Sequence, residues 1–422
     1  MGKLTRQLPK PMIPLMGRPI LEHQIDLAAR YHCRDIIMLT GYMGEKIENY
    51  FGDGTERRVN IRYQHENAPL GTAGAIKSVE DWLRGDFLVF YGDTIMDLDL
   101  KSLMTFHAEK GPLATLVTHP NSHPHDSDLL EVGEDSRVIA FWPKPRDPSR
   151  YYRNMANAAL CILSPQVLRY IPKGQFSDLG RDIFPKVVVS GGAIFAYNTP
   201  EYIADVGTPD RLRKAEADLA SGKVARLNRR NARKAVFLDR DGTLNVEVGH
   251  VRAPEQLHLL PGVTEAIRLI NQSEYLCVVV TNQPAIAKGF VTEQELNRIH
   301  AKLETLLGAE HAYLDRIYYC PHHPEKGFPG ERPEYKIPCA CRKPAPGMVL
   351  RAASELNVDL SRSFIVGDRT ADIRTGANAG VKTILLRTGY AGQDAEYSCR
   401  PDFVFEDLTQ TANFVVNQYN HP

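Results

Sequence analysis

Short apolar runs alternate with stretches of helical spacing along most of the chain. In the first half, residues 35–39 (DIIML), 87–91 (FLVFY) and 114–118 (ATLVT) predict buried strands. Residues 21–30 and 100–110 carry the helical spacing between them. In the second half the alternation restarts, with strands predicted at 235–238 (AVFL), 276–280 (LCVVV), 363–366 (SFIV) and 383–386 (TILL). Helices are predicted there at 261–271, 292–307 and 346–356. Unbroken apolar runs, rather than one-in-two alternation, belong to strands covered on both faces.

The pattern therefore predicts an α/β protein of two Rossmann-like domains with mostly parallel sheets and helices on their faces. Its length of 422 residues suits two or three domains. A helix over 212–219 with a stop at Gly222 closes the first domain, residues 1–222. Residues 223–233, rich in Lys and Arg and poor in large apolar side chains, read as a solvated basic linker, with an RNA- or anion-binding strip as the alternative. The second domain runs over 234–422. Three of its four apolar runs end in polar clusters: Asp239-Arg-Asp-Gly-Thr, Thr281-Asn-Gln, and Gly367-Asp-Arg-Thr-Ala-Asp372. In a parallel sheet such clusters converge at the carboxyl edge, where open α/β sheets bind ligands.

Lys plus Arg and Asp plus Glu both number 51, a balance that argues against a general nucleic-acid binder. No apolar window is long enough to span a membrane, and the first residues lack the apolar core of a secretory signal, so a cytoplasmic protein is expected. Seven cysteines are too few for a disulfide scaffold, and three of them (Cys320, Cys339 and Cys341) lie close together, which points to a metal.

Asp239 and Asp241 directly follow an apolar strand, and Gly242-Thr243 breaks it. Crowded carboxylates repel, so a site that keeps them usually holds a cation; Asp368 adds a third from another strand end, and Lys343 supplies a positive charge for a phosphoryl oxygen. These groups fit phosphoryl transfer. One carboxylate attacks phosphorus while Mg²⁺ offsets charge. A lysine and a hydroxyl hold the equatorial oxygens, and a second carboxylate serves as acid and then base. In order, Asp239–Asn245 (DRDGTLN), Thr281-Asn-Gln283, Cys341–Pro344 (CRKP) and Gly367–Asp372 resemble the four motifs of haloacid-dehalogenase-type phosphatases, most nearly the heptose-bisphosphate/histidinol-phosphate branch. The resemblance implies that fold with a zinc loop. It makes Asp239 the nucleophile, Asp241 the acid and base, and Thr281 and Lys343 the phosphoryl holders. Mg²⁺ would bind Asp239, the main chain at Asp241, and Asp368. Substrate contacts would come from Arg240, Gly242, Glu247, Val248, Gly249, His250, Asn282, Gln283, Arg342 and Arg369. Asp372 is either a ligand or a structural carboxylate. Pro284-Ala285 departs from the Ser-Gly usual after this motif.

Cys320, Cys339 and Cys341 with one imidazole can close a tetrahedral Zn²⁺ site around a loop rich in Pro, Gly and charge. His322 and His323 compete for the fourth place; Cys-x-His, the spacing of the resembled branch, favours His322.

The first domain resembles sugar-1-phosphate nucleotidyltransferases. The matching residues are Pro9-Lys-Pro-Met12, Gly17–Gln24, Leu70–Gly74, Tyr91–Thr94, Asn157-Ala158 and Asp205–Pro209. It implies Mg²⁺ at Asp93 and Asp205, a nucleotide base against Gly71 and Gly74, and phosphates at Lys10 and Lys144. The family's first strand and glycine-rich loop have no counterpart in these residues, so a scaffold of little transferase activity is expected, with apolar surface exposed in its sheet. Together the domains suggest removal of the 7-phosphate from a heptose 1,7-bisphosphate ahead of nucleotide activation, the transferase half looking most like the heptose 1-phosphate guanylyltransferase type. The alternatives are a histidinol-phosphate phosphatase and a phosphatase regulated by a non-catalytic sugar-nucleotide-binding domain. The expected partners are a sugar phosphate and a nucleoside triphosphate, with no nucleic acid or membrane; the oligomeric state is left open.

Overall fold

A computed structural model describes residues 6–417, which form two compact units. The first comprises Met1–His119, Asp128–Pro143 and Met155–Asn228, and the second Pro120–Ser127, Lys144–Asn154 and Arg229–Pro422.

In chain order, the first unit contains α1 (Ile20–Arg30), β1 (Asp35–Thr40), β2 (Asn60–His65), α2 (Gly71–Ser78), β3 (Phe87–Phe90), β4 (Thr94–Asp97) and α3 (Leu100–Lys110). Strands β5 (Ala114–His119), β6 (Leu129–Val132), β7 (Val138–Trp142), β8 (Ala156–Leu163), β9 (Ile194–Asn198) and β10 (Tyr202–Asp205) follow, then α4 (Pro209–Ala220) and α5 (Lys223–Leu227). The main sheet has the order β9-β5-β8-β6-β7, with β3 also on β8. Only β9–β5 is parallel in it; β8 runs antiparallel to β3, β5 and β6, and β6 to β7. β1 and β2 pair in parallel, and β4 and β10 antiparallel. A cavity of about 1340 Å³ is lined by residues of β1 and β3 that include Ile36, Met38, Leu39, Leu88, Val89 and Phe90.

Residues 223–233, expected as a solvated linker, are partly built into the fold. Lys223–Leu227 is helical, with Lys223, Val224 and Leu227 buried. Arg233 is also buried; its N–H donates to Asn357 O at 2.8 Å and its O accepts from Asp359 N at 2.8 Å. Counting charges missed this, because the apolar stems of long basic side chains can be covered while their heads find carbonyls.

The second unit contains β11 (Lys234–Leu238), α6 (Val263–Gln272), β12 (Tyr275–Asn282), α7 (Glu293–Ala309), β13 (Arg316–Cys320) and α8 (Gly347–Leu356). β14 (Phe364–Gly367), α9 (Thr370–Ala379), β15 (Lys382–Leu386), β16 (Phe403–Phe405) and α10 (Leu408–Asn417) complete it. Its sheet, in the order β13-β12-β11-β14-β15-β16, is parallel throughout. Every residue of β11 is buried, as an unbroken apolar run requires of a central strand. One face carries Val236, Leu238, Cys277, Val279, Phe364 and Val366 into a core shared with Ile267, Ile270, Leu303 and Leu307 of α6 and α7. Each CH₂ so buried contributes about 0.8 kcal/mol. Helix α7 opens on a capping box: Glu295 N donates to Thr292 Oγ1 at 3.0 Å, and Thr292 N donates to Glu295 Oε2 at 2.7 Å.

Candidate functional site

Parallel strands bring their carboxyl ends to one edge, and here that edge gathers the motif residues. Asp239 follows β11, Thr281 and Asn282 end β12, Cys320 ends β13, and Asp368 follows β14. Asp239 Oδ1 takes two donors, Lys343 Nζ at 2.9 Å and the Arg240 N–H at 2.7 Å. Lys343 Nζ also reaches Asp372 Oδ1 at 2.5 Å. Oxygens of Asp239, Asp368 and Asp372 lie within 4.8 Å of one another. Asp372 thus stands inside the cluster, while also accepting from Arg369 N at 3.1 Å at the start of α9.

The electrostatics of this group are those of a cation site. Asp368 is fully buried. Its Oδ2 accepts from Tyr390 N at 2.7 Å, and its Oδ1 has no hydrogen-bond partner. Burial, then the charges of Asp239 and Asp372, push its pKa up to about 8. Burial likewise pushes Asp372 up to about 6, against the pull of Lys343. Burial would lower Lys343, but Asp239 and Asp372 outweigh it and hold its pKa above the ordinary range. One lysine cannot neutralise three buried carboxylates. An orphaned oxygen amid that excess negative charge fits Mg²⁺, with Asp239 and Asp368 as the holding side chains and Asp372 beside them.

Asp241 lies nearer solvent, its side chain 20% exposed against 10% for Asp239. Four groups grip it. Arg240 Nη2 contacts Oδ1 and Oδ2 at 2.8 and 2.7 Å, Arg240 Nε reaches Oδ1 at 3.2 Å, and Asn245 Nδ2 and Gln283 Nε2 each donate at 2.9 Å. Burial would raise its pKa, but the Arg240 charge and these donors bring it below the ordinary value.

Several residues expected to touch substrate are committed elsewhere. Arg240 is fully buried, because its guanidinium turns back onto Asp241. Asn282 clamps the Lys343 backbone, donating to its O at 3.0 Å and accepting from its N at 3.0 Å. Gln283 spends its amide on Asp241 and Thr281 Oγ1. Gly242, at φ +74°, clears space for Asp368: a Cβ there would stand 2.3 Å from Asp368 Oδ2.

The remaining residues stand around the mouth. Val248 is exposed, and Glu247 Oε2 lies 3.5 Å from Arg369 Nη2, whose guanidinium stacks 3.7 Å over the Tyr390 ring. The Gly249 N–H donates to Glu247 Oε1 at 2.5 Å. His250 Nε2 is 3.3 Å from Lys288 Nζ; burial, then the Lys288 and Arg252 charges, lower its pKa to about 4. Arg342 Nη1 donates to His322 O at 3.3 Å. Sequence reasoning missed Lys288 and the Thr388–Gly392 turn. Thr388 Oγ1 donates to Gly242 O at 2.6 Å and Gly392 N to Asp368 O at 2.8 Å, so the turn straps the acidic cluster. Two glycines just beyond β15 were the available signal.

The Cys-His cluster forms as expected, with His322. Cys341 Sγ lies 3.2 Å from Cys320 Sγ, 3.3 Å from Cys339 Sγ and 3.4 Å from His322 Nδ1. Ligands about 2.3 Å from a tetrahedral Zn²⁺ stand roughly 3.5–3.8 Å apart, so the four donors fit zinc. His323 turns away, its Nε2 3.8 Å from Glu325 Oε2. Cys320 O accepts from Gln283 N at 2.8 Å, which ties the cluster to the phosphate loop.

In the first unit, Lys10 Nζ lies 3.7 Å from Asp93 Oδ2, and Asp205 faces Thr94 across the β4–β10 pair. Asp205 is paired to Arg211 Nη1 through both oxygens, at 2.7 and 2.8 Å. Gly71 and Gly74, expected under a nucleotide base, admit backbone instead: a Cβ on either would meet Ser177 O at 2.5 Å or Gln175 O at 2.6 Å. Lys144, expected on phosphate, belongs to the second unit, where its Nζ donates to Asp126 O at 2.9 Å. Among the described residues, no helix is long and apolar enough to cross a membrane.

Known proteins match both halves. Residues 2–222 match the nucleotidyl transferase family, and residues 340–411 a HAD-hydrolase-like family. Over 185 residues the chain is 40% identical to the D-glycero-beta-D-manno-heptose-1,7-bisphosphate 7-phosphatase of Haemophilus ducreyi, covering 43% of this chain and 98% of that protein. Over 222 residues it is 32% identical to a UTP–glucose-1-phosphate uridylyltransferase of Synechocystis, covering 49% of this chain and 57% of that protein. A solved D,D-heptose 1,7-bisphosphate phosphatase from B. bronchiseptica, complexed with magnesium and phosphate, is 34% identical over 43% of this chain and 96% of its own, with a TM-score of 0.38.

Proposed function

From a chain that belongs to the nucleotidyl transferase family over residues 2–222, and also to the D-glycero-D-manno-heptose-1,7-bisphosphate 7-phosphatases, we propose an enzyme that removes the 7-phosphate of a heptose 1,7-bisphosphate in residues 234–422. The carrying observation is the buried group of three carboxylates around one lysine, with Asp368 Oδ1 unpartnered. Mg²⁺, when bound there, neutralises phosphate oxygens and lets an anionic nucleophile approach them.

The chain's own residues supply the rest. Asp239 Oδ1 is anchored by two donors, which leaves Oδ2 to form the bond to phosphorus as the sugar oxygen departs. Lys343 and Thr281 hold the equatorial oxygens. Asp241, at the solvent side, gives the departing oxygen its proton. It is ionised at rest; a phosphate dianion beside it opposes Arg240 and raises its proton affinity, so it takes up a proton from solvent as substrate binds, and that proton passes to the sugar oxygen. It then takes a proton from the water that attacks phosphorus and releases Asp239, and the low pKa suits that second role. Zinc holds the loop that carries Lys343 and takes no part in the chemistry.

Phosphate release from α- and β-heptose 1,7-bisphosphate by the wild type and by Asp239→Asn tests this reading. The variant keeps the shape and loses the nucleophile, so turnover should collapse; release at near the wild-type rate rejects the assignment. Faster turnover of histidinol phosphate would move the substrate to the neighbouring branch. For residues 1–222 the reading is a transferase fold of low activity, supported by the commitment of Asp205 to Arg211. Rapid pyrophosphate release from GTP, Mg²⁺ and heptose 1-phosphate would overturn it.

A further inference from the structure

Arg240 raises a question that its expected role does not answer. A guanidinium with no solvent exposure must place its N–H groups on protein acceptors or pay for leaving them bare. Nε and Nη2 are satisfied by Asp241, and Nη1 reaches His300 Nε2 at 3.4 Å. Only a neutral imidazole, unprotonated at Nε2, can accept that bond. His300 is buried in α7, and burial, then the charges of Arg240 and Arg153, hold it neutral. One helical turn on, Glu304 is itself buried and clamped from the other side. Arg153 Nε donates to Glu304 Oε2 at 2.6 Å and Asn154 N to the same oxygen at 2.9 Å, while Tyr152 N donates to Thr305 Oγ1 at 3.0 Å. Arg153 Nη1 adds a bond to Asn297 Oδ1 at 2.7 Å. The Lys144–Asn154 segment, which joins β7 to β8, is therefore part of the second unit and grips α7 beside His300.

We propose that His300 and Arg240 are positioning residues for the phosphatase reaction, fixing the Asp241 carboxylate where it exchanges protons, and that Arg153 supports them by clamping α7 through Glu304. The inference rests on the phosphatase reading above. Asn297, Glu304 and Thr305 turn one side of α7 toward the clamp, and Leu303 and Leu307 turn another into the core, so the helix has little freedom to shift. A displacement of α7 moves His300, loosens the guanidinium and swings Asp241 away from the departing oxygen. Misplacement of an acid–base group by about 1 Å costs on the order of tenfold to a hundredfold in rate.

The test uses the full chain with heptose 1,7-bisphosphate and compares His300→Phe, His300→Gln and Arg153→Met, with Asp239→Asn alongside. Phe fills the space and removes the acceptor; Gln places an oxygen near the lost Nε2. The expected result is a kcat about tenfold lower for H300F with KM within about twofold, recovery by H300Q to within about threefold of the wild type, and a smaller loss for R153M in the same direction. Zinc content should match the wild type in all three. Wild-type kcat in H300F, no recovery in H300Q, or a loss accompanied by lost zinc would each overturn the inference. Should D239N be inactive while H300F is fully active, only this inference falls. Should D239N remain active, the reading beneath it falls as well.

Discussion

Asp368 offers the sharpest test of a cation site, because burying its carboxyl among two others costs stability that a bound cation would restore. Its carboxyl is fully buried, and its pKa stands at about 8 against an ordinary 3.8. For a carboxyl raised in this way, the favourable contribution is complete below the ordinary value and drains away as pH climbs toward 8. Without Mg²⁺ the second unit should weaken across that window by about 1.4 kcal/mol per pH unit, reaching about 4 kcal/mol near pH 7. Asp368→Asn replaces the carboxyl with a neutral amide. Its oxygen can still accept from Tyr390 N, and its NH₂ sits between Asp239 and Asp372 as a donor. The variant should therefore be the more stable protein without Mg²⁺, by about 2–4 kcal/mol near pH 7, with an advantage that grows with pH. It should release no phosphate and gain nothing from added Mg²⁺. Both tryptophans, Trp82 and Trp142, lie in the first unit, so fluorescence would report the wrong half. Hydrogen exchange of the β11 and β14 amides, in Mg²⁺-free buffer that leaves zinc in place, reads the second unit directly. A stability difference that does not change with pH, or equal stabilisation of both proteins by Mg²⁺, would refute the reasoning.

Cys339→Ser should lose zinc and most phosphate release, because Cys320 O holds Gln283 N and Cys341 leads directly into Arg342-Lys343; atomic absorption beside the activity assay checks this, and a zinc-free protein at full rate contradicts it. Gly242→Ala forces a Cβ to 2.3 Å from Asp368 Oδ2 at φ +74°, so half-saturation by Mg²⁺ should rise about tenfold or more and stability fall by about 1–3 kcal/mol, read by Mg²⁺ titration and unfolding. Gln283→Leu removes one donor from Asp241. Donors to a carboxylate favour its ionised form, so the pKa should rise and the alkaline limb of the kcat/KM profile, where Asp241 no longer holds the proton it must give, should move to higher pH; an unmoved limb would show that Gln283 does not tune it.

The carboxyl-edge clusters were legible in the sequence because two independent signals coincide: an apolar run long enough for a central strand, and a polar motif where the run stops. Asp239, Thr281 and Asp368 converge for that reason, and the Cys-His spacing announced the metal cluster that leads into Lys343. What stayed hidden is the choice of partner. Arg240, Asn282 and Gln283 sit inside the motifs, and adjacency suggested that they face a substrate. Whether a guanidinium or an amide reaches outward or folds back depends on unpaired acceptors nearby, and those lie 42 to 61 residues away or right next door. The strap around Asp368 and the clamp on α7 were invisible for the same reason: Tyr390 contributes a backbone N–H, which no residue type announces, and Glu304 is recognisable as buried only once Arg153 is seen to face it.

That difference carries a physical consequence for how the site tolerates change. The visible residues are charges that a ligand must meet, so replacing them should abolish turnover outright. The hidden ones are polar groups paired within a low-dielectric interior, where breaking one pair strands its partner at about 1–3 kcal/mol and replacing both members can be nearly neutral. Arg153 with Glu304 is the clean case. Removing Arg153 alone leaves a buried carboxylate with the Asn154 N–H as its remaining donor, whereas the apolar pair Arg153→Met/Glu304→Leu removes both charges and strands only that N–H. If the clamp works by fixing α7 rather than by its charge, the double variant should recover most of the rate that Arg153→Met loses. A double variant as slow as the single one would instead mean that the ion pair itself is needed beside His300.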